Sequence, residues 1–130
     1  MIAVDTNILV RVLTNDDAGQ AKRAANRMRL DTVWVSRTVL LETEWVLRHA
    51  YGLDVAAIAG SFATLLGIAS IEVEDRNAVL QALVWHRDGM DFADALHLSA
   101  STSATAFVTF DRGLARKAKR ARARPTVTLP

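Results

Sequence analysis

The stretch that decides the fold is Met1-Ile2-Ala3-Val4-Asp5-Thr6-Asn7-Ile8-Leu9-Val10 at the amino end of the 130-residue chain. An apolar run, Ile2-Ala3-Val4, leads into a carboxylate and two small polar residues before a second apolar run begins. Short apolar runs with β-branched residues read as buried strands, and Thr6 or Asn7 can start the helix that follows. Asp5 then stands at the carboxyl end of a strand, which in open α/β sheets is the edge where ligands bind. The remaining sequence is therefore read for other carboxylates that reach that edge.

Moving outward, the pattern predicts a short helix from Ile8 to Leu13 and, capped by Asp16 or Asp17, a second from Ala18 to Leu30. Val33-Trp34-Val35 reads as a strand, and Ser36 as the N-cap of a long helix to about Tyr51, stopped by Gly52. Asp54 caps a helix through Leu66, which Gly60 and Gly67 weaken so that its end is not fixed by the pattern. Ile71-Glu72-Val73 alternates like a strand near a sheet edge, and Asp75 to Arg87 reads as a helix. Asp91 caps a helix to roughly Ser103, and Ala106 to Phe110 forms a strand that ends, like the first, in a carboxylate, Asp111. Arg112 to Arg122 is a basic helix, broken by Pro125 before a last strand at Val127-Thr128-Leu129. About five strands alternating with about seven helices define an α/β fold with a mainly parallel sheet, in one domain spanning 1–130.

Composition narrows the function. There is no cysteine, which excludes disulfides and thiolate chemistry. No apolar segment is long enough to cross a bilayer, and Asp5 interrupts the place where a signal sequence would become apolar, so a cytoplasmic protein is expected. The formal net charge of +2 hides an asymmetry: all 14 acidic residues lie between Asp5 and Asp111. Seven basic residues, Arg112, Arg116, Lys117, Lys119, Arg120, Arg122 and Arg124, crowd the tail. An acidic body with a basic tail suits metal ions at one place and a polyanion at another, while the plain alternative is a solvated basic helix face.

Each carboxylate also has an ordinary explanation. Asp5 and Asp111 both sit where a strand passes into a helix, so each is placed to cap that helix; on neighbouring parallel strands they would lie roughly 5 Å apart. Glu42 falls at the border of an apolar face built from Val39, Leu40, Val46, Leu47 and Ala50, where an unpaired carboxylate is costly unless it meets a cation. Glu44, on the opposite border, can pair with Arg48 at helical spacing as a surface ion pair. Asp91 and Asp94 resemble an acidic capping box, although Asp94 lies inside its helix and has no capping to do. Crowded carboxylates stay ionised only with cations among them, and Mg²⁺ or Mn²⁺ are the hard ions that oxygen donors select. Such a site suits metal-assisted phosphodiester hydrolysis. Asn7 and Thr109 can hold carboxylates or water in place, or simply satisfy backbone at a strand end. His49, His86 and His97 lack metal-ligand spacing, and no Gly-rich phosphate loop or Gly-x-Ser-x-Gly elbow is present.

Four segments taken in order resemble the PIN-domain ribonucleases, and specifically the VapC-type toxins of toxin–antitoxin pairs. They are Ala3-Val4-Asp5-Thr6-Asn7-Ile8-Leu9, the stretch from Ser36 through Leu41-Glu42 to Val46-Leu47, Asp91-Phe92-Ala93-Asp94-Ala95-Leu96, and Val108-Thr109-Phe110-Asp111. The resemblance implies a catalytic, metal-binding quartet of Asp5, Glu42, Asp94 and Asp111, supported by Asn7 and Thr109. Asp91 is either a fifth acid near the metal or only a helix cap. The resemblance further implies a PIN-like fold, an RNA substrate, a VapB-like antitoxin partner, a homodimer, and cleavage by metal-activated water leaving a 3′-hydroxyl and a 5′-phosphate. Arg112, Arg116, Lys117, Lys119 and Arg120 are the expected RNA contacts. Two rival readings exist: Asp5 as the nucleophile of a phosphatase or receiver-like domain, and a catalytically inactive PIN-like module that binds RNA or protein. The first wants a lysine near the pocket, and Lys22 is the only one before the tail; the second wants a missing acid, and none is missing.

Overall fold

A computed structural model describes all residues, Met1–Pro130. Five strands and seven helices follow in the order β1 (Ile2–Ala3), α1 (Thr6–Thr14), α2 (Ala18–Met28), β2 (Val33–Val35), α3 (Arg37–His49), α4 (Val55–Leu66), β3 (Ile71–Val73), α5 (Arg76–Arg87), α6 (Phe92–Ser99), β4 (Ala106–Val108), α7 (Arg112–Arg120) and β5 (Thr126–Thr128). The chain divides into two compact units, Met1–Arg76 and Asn77–Pro130.

In the first unit the strands form a parallel sheet in the order β1-β2-β3, with Ile2 opposite Val33 and Val33 opposite Ile71. The central strand carries the fully buried Val33 and Val35, while Glu72 on the edge strand β3 is exposed, as its alternation predicts. α1 packs against α2 and α3, and α4 against α3 and β3. Leu9, Leu40, Leu47, Ile58, Phe62 and Leu65 are removed from water, each contributing about 1.5–3 kcal/mol of transfer free energy. A polar cluster ties the α1–α2 turn to the end of α3: Asp16 accepts from the Tyr51 hydroxyl at 2.6 Å and from Arg11 Nη1 at 2.9 Å, and Arg11 Nε donates to Gln20 at 2.6 Å.

In the second unit β4 and β5 pair in parallel, with Phe107 opposite Val127, and α7 packs on β5. Its buried apolar residues include Val79, Ala82, Phe92, Ala95, Leu98 and Leu114. The five expected strands are thus present and parallel, in sets of three and two. One boundary differs by several residues: α6 stops at Ser99, not Ser103. Ser101 donates its hydroxyl to the His97 carbonyl at 2.7 Å, one of the local bonds by which serine competes with continued helix. No helix of the chain is long and apolar enough to cross a membrane.

Candidate active site

Four of the acids, Asp5, Asp91, Asp94 and Asp111, are placed by helix starts. Asp5 is the N-cap of α1, its Oδ1 accepting the Ile8 N–H at 3.3 Å. Asp111 caps α7 in the same way, its Oδ1 accepting the Leu114 N–H at 3.0 Å, and Asp91 caps α6 by accepting the Asp94 N–H at 3.2 Å. A cap uses one carboxylate oxygen, and the unpaired N–H groups and dipole of the helix start hold the charge in place. Capping and ligation are therefore compatible roles.

Asp94 is different. It lies in the first turn of α6, is half-buried, and caps nothing. Its carboxyl is pushed above the usual range, first by burial and then by the negative charges of Asp91 and Asp111, against the opposing pull of His97 and Lys117. The second unit thus gathers Asp91, Asp94 and Asp111 into one electrostatic neighbourhood.

Asp111 is held from both sides along the chain. Its own N–H donates to Thr109 Oγ1 at 3.0 Å, and the Thr109 N–H donates to the Thr128 carbonyl at 3.0 Å, so β5 anchors the strand end through Thr109. A Cβ placed on Gly113 would meet Asp111 Oδ1 at 3.1 Å and Arg116 Nη2 at 3.8 Å. Glycine here leaves clearance for the carboxylate, a role the sequence reading missed. The available signal was a glycine two residues past a capping aspartate, at a helical position where glycine weakens the helix.

In the first unit Asp5 is exposed and lines an open cavity of about 560 Å³ with Ile8, Arg27 and Met28; Asn7 is also exposed. On α3 the buried stripe is Leu40, Thr43, Glu44 and Leu47, a strict i, i+3, i+4, i+7 set. Glu42 is therefore exposed and off the buried face, not at the border of an apolar one. Glu44 does pair with Arg48, at 2.8 Å, but it is only 2% exposed, so this is a buried carboxylate and not a surface pair. Thr43 lets the polar stretch enter the core because its hydroxyl bonds back to the Val39 carbonyl at 2.7 Å.

Of the basic residues expected to meet RNA, Arg112, Arg116 and Lys119 line a cleft of about 680 Å³ beside α7 and β5, together with Arg122 and Arg124. Lys117 acts on Asp94 electrostatically, and Arg120 lies outside the cleft lining.

These donors suit a hard divalent cation. No three His, Asp or Glu side chains are drawn close enough to cage an ion alone. Mg²⁺, however, keeps several waters and is commonly held by one or two carboxylates plus substrate phosphate. Burial raises Asp94 first, and the repulsion that Asp91 and Asp111 add to it is the part a cation relieves.

The PIN domain family model matches residues 2–120, and the chain belongs to that family. A solved structure, the sarcin-ricin loop cleaving toxin VapC20 of Mycobacterium tuberculosis, is 23% identical, covering 89% of this chain and 94% of that chain with a TM-score of 0.44. No curated protein sequence matches the chain.

Proposed function

We propose that this chain is a metal-dependent endoribonuclease of the VapC type, the toxin of a type II toxin–antitoxin pair. The observation that carries the reading is that the starts of α6 and α7 in a chain of the PIN family bring forward Asp91, Asp94 and Asp111, of which the half-buried Asp94 is raised first by burial and then by the charges of the other two. Asp94 and Asp111 would hold the cation, Mg²⁺ or Mn²⁺, and Asp5 and Glu42 are the other members of the quartet that the family resemblance implies. A divalent ion held there would supply an activated water and charge neutralisation at the phosphoryl group. Thr109 fixes the Asp111 backbone, Asn7 supports Asp5, and Asp91 acts mainly as the cap that orders the first turn of α6. Arg112, Arg116 and Lys119 of α7 neutralise RNA phosphates. The products carry a 3′-hydroxyl and a 5′-phosphate. In this reading the protein is a cytoplasmic homodimer held inactive by a VapB-like antitoxin.

Asp5→Asn tests the quartet. Asparagine still accepts the Ile8 N–H, so the cap and the fold should survive. Cleavage should fall by more than the roughly 10–100-fold typical of losing an outer partner of a ligand. A folded Asp5→Asn protein that cuts RNA at the native rate contradicts the assignment.

A further inference from the structure

We propose that the cleft beside α7 and β5 is a groove that tracks the phosphates of single-stranded RNA leading to the Asp94–Asp111 carboxylates. The inference deepens the ribonuclease reading and rests on it for the nature of the strand. Five cations line the cleft, Arg112, Arg116, Lys119, Arg122 and Arg124, and no carboxylate does. None of the five is engaged in a salt bridge. On the helix, positions 112, 116 and 119 follow one another at four- and three-residue steps, so they share a face in a row that starts next to Asp111. The floor is alanine, Ala115, Ala118 and Ala123, with Val127 and Leu129. No aromatic ring lines it, so the groove lacks the aromatic platforms on which single-strand binders stack bases and holds the strand chiefly by its phosphates.

The end of α7 supplies an independent observation. The Ala123 N–H bonds to the Ala118 carbonyl at 2.9 Å and the Arg122 N–H to the Lys119 carbonyl at 3.1 Å, the two bonds of a Schellman motif. The residue in the left-handed position is usually glycine, yet here it is Arg122, at φ +54°. The other non-glycine residues at positive φ are Asn15 and Asp75, types that tolerate that region. A long side chain held in a disfavoured backbone conformation points to a use for that side chain. At Arg122 the use is a cation that carries the wall of the cleft past the end of the helix. An acidic protein segment is the other polyanion such a groove could take, but an alanine floor offers little to anchor large side chains.

The test measures binding of a short fluorescent single-stranded RNA to the metal-free 130-residue chain across a salt series, with melting temperature read in parallel. Arg122→Gly should raise Tm while weakening RNA binding severalfold, two effects of opposite sign. Its salt slope should fall by about 0.7, the value for one single-strand phosphate, and that of Arg116→Gln/Lys119→Gln by about 1.4. Arg120→Gln, outside the lining, should cost less than either. Unchanged slopes in the cleft variants overturn the groove, as does an equal loss in Arg120→Gln, which would mark a diffuse basic field. Displacement of the RNA by poly-glutamate at lower charge concentration than by unlabelled RNA overturns it in favour of an acidic protein ligand. Because binding is read without metal, cleft-dependent binding with no cleavage on metal addition keeps the groove and removes the ribonuclease reading. Cleavage with unchanged slopes does the reverse.

Discussion

Asp94 carries a cost in the metal-free protein that its neighbours impose. Burial and the charges of Asp91 and Asp111 disfavour its ionised form, so the fold binds that proton more tightly than the unfolded chain does. The sign follows: near neutral pH the ionised Asp94 works against folding, and the penalty fades as pH falls through its raised titration range. Asp94→Asn is expected to raise Tm at pH 7 in chelator, with the gap to the native protein closing toward acid pH. Mg²⁺ should then raise the Tm of the native protein and leave that of the variant in place; scanning calorimetry reads both. Asp16 runs the other way. Its carboxyl is held below the usual range, first by the Tyr51 hydroxyl and then by Arg11, so its contribution is present at neutral pH and lost as pH falls below about 4. Tyr51→Phe should therefore lower Tm at pH 7, and that difference should shrink in acid.

At the scale of single elements, local chemistry was the most legible part of the sequence. Asp17, Ser36, Asp54 and Asp91 each cap the helix for which they were read as caps. Asp5 and Asp111 cap as well, which is the plain explanation weighed beside the functional one. The face of α3 was not legible. Counting only apolar side chains put Val39, Val46 and Ala50 on the core side, whereas the helix buries Leu40, Thr43, Glu44 and Leu47. Two polar residues are admitted because each is satisfied within the helix, Thr43 by the Val39 carbonyl and Glu44 by Arg48. Apolar periodicity cannot register a buried position whose polarity is cancelled one turn away. Removing that cancellation should be costly: Arg48→Ala takes two donors from a carboxylate that is 2% exposed. The expected loss is about 1–3 kcal/mol by urea denaturation, well above that of a surface pair.

At the scale of the whole molecule, the five strands and seven helices follow from alternating apolar runs and caps, and their parallel sense from the strand–helix alternation. The division into a three-stranded and a two-stranded set was not legible, because strands of two or three residues carry too little pattern to name their ladder partners. Of the candidate site, the residue types and their helix-start positions were readable. The crowding around Asp94, the clearance at Gly113 and the choice of cations lining the cleft depend on three-dimensional placement. The charge asymmetry was legible throughout, since it is a property of the chain itself. The central claim is that these carboxylates perform metal-dependent RNA hydrolysis, and the most direct measurement compares native and Asp94→Asn protein on RNA with Mg²⁺ and with chelator, sequencing the new ends. The account predicts 5′-phosphate ends from native protein with Mg²⁺ and none above background from the variant or in chelator. Equal cleavage by native and Asp94→Asn protein, or cleavage undiminished in chelator, would contradict it.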